Sequence, residues 1–199
     1  CASMLVVTPY NRVLKLIDLH QEEKNRIQLA ADNNRQAQQL IYASYAPKML
    51  GVCRQYVKDI HHAEDVMITA FMKVFSSLSN FEHKGSFEGW IRRIMINESI
   101  SYIRANKKIS FLDDEQYSEE FANSIESQFN VEEIQLLIDA LPEGYKMVFN
   151  LYVIEGYKHQ EIAELLSISA GTSKSQLSQA RRILQHEINT LKSRQNGTR

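Results

Sequence analysis

Between Ile109 and Pro142 the chain carries nine acids, Asp113, Asp114, Glu115, Glu119, Glu120, Glu126, Glu132, Glu133 and Asp139, and no Lys, Arg or His. A segment of that charge repels itself and, lacking a sustained apolar period over most of its length, cannot build a core of its own. The folded parts are therefore expected to lie mainly on either side of it. Removing these nine from the total of 24 leaves 15 acids against 23 bases, a balance of +8 inside an overall charge of −1. Two basic blocks joined by an acidic tether suit polyanionic partners, and the tether can itself imitate one.

Both blocks read as helical. Seven Gly and three Pro in 199 residues are few for a chain built of strands and turns, and the Leu, Ile, Ala, Gln and Glu content favours helices. The expectation is an all-α protein of two small helical domains joined by an acidic flexible linker. Its parts are an N-terminal extension (1–26) with no assigned role, a first domain (27–108), the linker (109–130), a second domain (131–193) and a frayed tail (194–199). No apolar run is long enough to cross a bilayer, and the opening residues lack the basic-then-apolar pattern of a secretion signal, so the expected location is cytoplasmic. Cys1 and Cys53 sit in no paired-ligand spacing, which argues against a disulfide framework or a zinc site.

In the first block a helix is expected from Ile27 until Pro47 interrupts it, then a second from Pro47 to Val57. Lys58 to His62 reads as a connection, with Ala63 opening the next helix. There Ala63, Val66, Met67, Ala70, Phe71, Val74, Phe75 and Leu78 cover more of the circumference than one core face needs. Such a helix is either buried on two sides or shared with another protein. After a polar connection from Ser76 to Ser86, Gly85 supplies a turn with positive φ and Ser86 an N-cap. The helix that follows, Phe87 to about Ala105, sets Arg93, Asn97, Ser101 and Arg104 in one narrow arc between apolar flanks. That stripe is either a solvated face or a nucleic-acid surface, since Arg and Asn make paired hydrogen bonds to bases and clamp phosphates.

In the second block, helical pattern resumes at Val131 and again after Pro142. From Glu155 to Arg182 the chain reads as a helix-turn-helix: a short helix about His159 to Leu166, a Ser167-Ile168-Ser169 break, and a longer helix opening near Gly171. Ser173, Leu177, Ala180, Leu184, Ile188 and Leu191 fall on its packing side, and Gly171, Ser175, Ser178, Gln179 and Arg182 on the other. On spacing alone an ordinary helical hairpin competes with a groove-reading helix. His61, His62, Glu64 and Asp65 raise a third possibility, a metal-dependent enzyme, but no complementary ligands accompany them; no metal, cofactor or catalytic residue is expected.

Taken together, these fragments resemble an extracytoplasmic-function sigma factor of the sigma-70 family, across about Leu40 to Leu191. In the first block the resemblance rests on Tyr42 and Tyr45, Ala63-Glu64-Asp65-Val66 with Phe71, Lys73, Val74 and Phe75, and Phe87-Glu88-Gly89-Trp90-Ile91-Arg92-Arg93-Ile94 with Asn97 and Arg104. In the second it rests on Leu141-Pro142-Glu143-Gly144-Tyr145, Glu155-Gly156-Tyr157, Glu161-Ile162-Ala163 and Gly171-Thr172 with Lys174-Ser175, Leu177, Ala180 and Arg181. The resemblance implies a non-enzymatic initiation factor that brings the polymerase core to promoter DNA. It implies polymerase binding through Asp65, Val66, Phe71 and Val74. Capture of the minus-ten strand would fall to Asn80, Phe81, Lys84, Ser86, Phe87, Trp90, Arg92, Arg93, Asn97 and Arg104. Minus-35 duplex readout would fall to Gly171, Thr172, Ser173, Lys174, Ser175, Gln176, Gln179, Arg181 and Arg182. An anti-sigma factor is the implied controlling partner, and no small-molecule substrate is implied. Ile68 and Thr69 stand where the family commonly has a Gln-acid pair, Ser173 where it usually has Val, and Gln176 where it often has Arg.

Overall fold

The computed structural model describes residues 21–106 and 131–196; the expected linker, 109–130, lies outside the described residues. Those described are helical with no strand. Helix α1 includes residues 21–31, so Gln21 to Asn25 are helical where the sequence reading begins its helix at Ile27. Asn33 then takes a left-handed turn at φ 61, and the Asn34 carboxamide oxygen accepts the Ala37 N–H at 3.0 Å, capping α2.

Helix α2, Arg35–Tyr56, passes straight through Pro47, correcting the expected break. Ile41, Met49, Val52, Cys53 and Tyr56 are buried along one face, and Pro47 falls on the opposite, solvent side. The carbonyl that loses its hydrogen-bond donor is that of exposed Ala43, which water can serve. Continuous packing across the proline outweighs one missing bond. Helix α3, Ile60–Ser76, starts three residues earlier than expected. A single 3-10 turn, Leu78–Asn80, and a loop lead to α4, Phe87–Asn106.

Beyond the undescribed segment come α5, Val131–Ala140, and α6, Glu143–Phe149, whose N-cap position is Pro142. Helix α6 runs on as a π turn, Asn150–Ile154, in which the Glu155 N–H donates to the Asn150 carbonyl at 3.0 Å. The extra residue turns Leu151 fully inward while Val153 and Ile154 face out. Helix α7, His159–Leu166, ends on Ser167 in the left-handed region, and α8, Ala170–Asn196, follows. Ser169 caps it, its Oγ accepting the Thr172 N–H at 2.8 Å. The second core gathers Ile138, Leu141, Ala180 and Leu184, with Leu137, Tyr145, Phe149 and Ile183 against them. Lys146 is buried beside it, its Nζ 2.7 Å from Asp139 Oδ1.

Contacts group the described residues into two compact units: one holds those up to Cys53 with His61–Glu98, the other Arg54–Ile60 with those from Ser99 onward.

Candidate nucleic-acid interface

At the start of α4, Asn80, Phe81, Glu82, Lys84, Ser86, Gly89, Trp90 and Arg93 line a pocket of about 420 Å³. The local sequence builds it. Gly85 at φ 114 and His83 at φ 55 bend the loop back, and the Ser86 Oγ accepts the Gly89 N–H at 3.0 Å, fixing the first turn of α4. Three aromatic rings stiffen the wall. Phe81 lies 5.1 Å from Phe87 and 5.4 Å from Trp90, and Phe87 stacks on Trp90 at 5.8 Å and 16°. Tyr45 of α2 meets Phe87 edge-on at 5.6 Å.

Six residues of the expected minus-ten set, Asn80, Phe81, Lys84, Ser86, Trp90 and Arg93, thus share one pocket. Phe87 is buried behind it rather than presented to it. Arg92 is half-buried, and Arg93, Asn97 and Arg104 are exposed along α4. Arg104 donates to the Leu165 carbonyl at 2.9 Å within the second unit. Glu82 and Gly89 were missing from the expected set. Glu82 pairs with Lys84 at 2.7 Å, and a Cβ at Gly89 would meet only the Ser86 side chain, at 3.6 Å. The pocket offers flat apolar walls, one carboxamide and flanking cations, a chemistry suited to an unpaired base and its phosphates.

The expected polymerase contacts need correction. Val66, Phe71 and Val74 are core residues of α3, with Tyr42 packed on Phe71 at 4.8 Å. Only Asp65 of that set is exposed. The outward face of α3 is instead Asp65, Ile68, Thr69 and Met72, spaced as one helical stripe; Ile68 is 49% and Met72 69% exposed. The departure at Ile68 and Thr69 was visible in the sequence, yet period alone could not say which edge of the wide apolar band turns outward. Among the described residues no group of three or more His, Cys, Asp or Glu is placed to hold a metal ion.

In the helix-turn-helix, Gly171, Lys174, Arg181 and Arg182 are exposed and Thr172, Ser178 and Gln179 half-exposed. Ser173, Ser175 and Gln176 are buried, Gln176 to 1% and Ser173 to 0% exposure. None of the three presents a side chain to a groove, which corrects their place in the expected reading set. The buried Ser173 hydroxyl lies 2.9 Å from His159 Nδ1, and Ser175 Oγ donates to the Thr172 carbonyl at 3.0 Å. Gln176, next to Leu177 in sequence, is as fully buried as the inward seam of Ser173, Leu177 and Ala180. Ser178, which helical period put on the outward face but the resemblance did not add to the reading set, lies between Lys174 and Arg182 on that side.

Among known families, the profile described as Sigma-70 region 2 matches residues 41–109, and that described as Sigma-70, region 4 matches residues 131–184. The chain is 28% identical over 182 residues to the ECF RNA polymerase sigma factor SigW of Bacillus subtilis, covering 84% of this chain and 97% of that protein. It is 25% identical over 179 residues to the ECF RNA polymerase sigma-E factor of Haemophilus influenzae, covering 83% and 94%. Among solved structures, the sigma factor RpoE in complex with the anti-sigma factor NepR from Bartonella quintana shares the fold at a TM-score of 0.50 and 19% identity, over 74% of this chain and 94% of that one.

Proposed function

Since this chain belongs to the sigma-70 family and is a sigma factor of the extracytoplasmic-function type, we propose that it directs polymerase core to promoters by gripping DNA at two places. It supplies no catalytic step of its own and works in the cytoplasm, where polymerase and promoter meet. We place its domains at 27–108 and 131–193, with Arg54–Ile60 and residues 99–106 of the first making their contacts in the second compact unit. The aromatic-walled pocket at the start of α4 carries the reading. Asn80, Phe81, Lys84, Ser86, Trp90 and Arg93 would hold a base displaced from the minus-ten duplex, with Arg92 and Asn97 following the strand along α4. Stacking in such a pocket offsets part of the lost pairing, on the order of 1–3 kcal/mol per base. In the second grip, Gly171, Thr172, Lys174, Gln179, Arg181 and Arg182, joined by Ser178, face the minus-35 duplex.

Polymerase is engaged through Asp65, Ile68, Thr69 and Met72. The solved relative is bound to an anti-sigma factor, and we extend that mode of control to this chain. Run-off transcription with polymerase core on a genomic promoter library tests the reading: the wild-type chain should initiate at discrete promoters, and Trp90→Ala should lower initiation at least tenfold on duplex templates while a pre-melted minus-ten region restores part of it. A chain that binds promoter DNA but never recruits core to it would sink the proposal.

A further inference from the structure

One histidine ties the reading end of α8 to its scaffold. His159, the first residue of α7, places Nδ1 2.9 Å from the buried Ser173 Oγ. Its ring stacks on Tyr152 of the π turn, with centroids 4.5 Å apart and planes 21° from parallel. The Arg181 guanidinium carbon lies 5.8 Å from the centroid of that same Tyr152 ring. The imidazole therefore touches the π turn and the inward side of α8 directly, and an exposed cation of α8 through one intervening ring. A buried hydroxyl needs a hydrogen-bond partner, but nothing in packing requires that the partner be titratable.

We propose that His159 is the positioning residue of the minus-35 reading helix, and that its protonation state sets how tightly this helix holds duplex DNA. This rests on the reading of α8 as the duplex-binding helix.

In the free chain the neutral ring is favoured. Burial, and after it the charges of Lys174 and Arg181, hold the His159 pKa below its usual value. Those two cations on α8 and the Tyr152 phenol on the π turn are the charged or titratable groups brought to the ring by the elements packed on it. On its own helix, the Glu161 carboxylate is engaged by the Lys158 N–H at 2.7 Å. Phosphates lying against Lys174 and Arg181 would cancel two of the three causes. Taking up a proton from solvent then becomes easier in the complex than in the free chain, and by linkage the duplex binds more tightly as pH falls. The bond to Ser173 survives the change, because a hydroxyl donates to the bare Nδ1 and accepts from the protonated one.

The test uses the full chain and a duplex that it selects from a random-sequence library. The His159 imidazole resonances should titrate at higher pH with the duplex bound than without it. Between pH 7.5 and 5.5 the affinity of the wild type should rise about threefold more than that of His159→Gln, at constant salt. An unchanged His159 midpoint overturns the inference whether or not the glutamine variant folds. If Lys174→Ala with Arg182→Ala binds the duplex as tightly as the wild type, the duplex-binding reading of α8 fails instead, and this inference falls with it.

Discussion

Lys146 has 1% of its surface exposed, and burial pulls its pKa down even though Asp139 lies 2.7 Å away. Removing Lys146 leaves the mostly buried Asp139 carboxylate with only the longer, partly exposed contact to Arg54 at 3.8 Å. Lys146→Met should therefore cost about 3 kcal/mol in denaturant unfolding, and adding Asp139→Leu should recover most of it. His159 makes a second residue-scale prediction. Its folded pKa lies below the unfolded value of about 6.5, so the unfolded chain binds the extra proton; the stability tied to the neutral ring is present above that pH and lost as pH falls. The melting temperature should drop more between pH 7.5 and 5 for the wild type than for His159→Gln; parallel curves would count against the assignment. Single residues were also where the sequence was hardest to read. Helical period put Ser173 on the seam correctly, but the cover over Gln176 depends on neighbouring elements that no period describes. For Val66, Phe71 and Val74, the apolar band of α3 was plain, and which part of it α2 would bury was not.

At the scale of the element, the helix-turn-helix was legible almost to the residue, because the Ser167-Ile168-Ser169 break and the apolar spacing of α8 are local signals; the structure adds the left-handed Ser167 and the Ser169 cap. The unbroken α2 and the π turn after α6 were not legible. Both follow from tertiary packing that overrides local preference: burial on either side of Pro47 in the first case, the inward turn of Leu151 in the second. The cap of α4 was legible and makes a prediction that separates two duties of one residue. Ser86 both caps the helix and lines the pocket. Ser86→Ala should lower stability by about 1 kcal/mol in thermal or denaturant melts, and Ser86→Asp should restore it. Promoter opening should stay impaired in the aspartate variant, because a negative charge in the pocket repels the incoming strand. Recovery of both together would argue that Ser86 serves the helix alone.

For the whole molecule, the alternation of basic, acidic and basic stretches was legible before any helix was placed, whereas the outward stripe of α3 came only from the structure. The exposed stripe of α3 predicts a separation of effects. Met72→Glu or Asp65→Arg should abolish capture of polymerase core in a pull-down while leaving the circular-dichroism melt unchanged. Phe71→Glu, aimed at a buried ring, should instead unfold the first unit. A Met72→Glu chain that still captures core would move the docking surface off α3. The mutually packed Phe81, Phe87 and Trp90 bear on speed as well as strength. Their rings hold one another before any strand arrives, so the pocket has little ordering left to do when a base enters. On the proposed reading, the tempo of opening at a promoter would be governed by how often the duplex itself breathes, and variants that loosen this wall should slow initiation most on templates whose minus-ten steps are hardest to unstack.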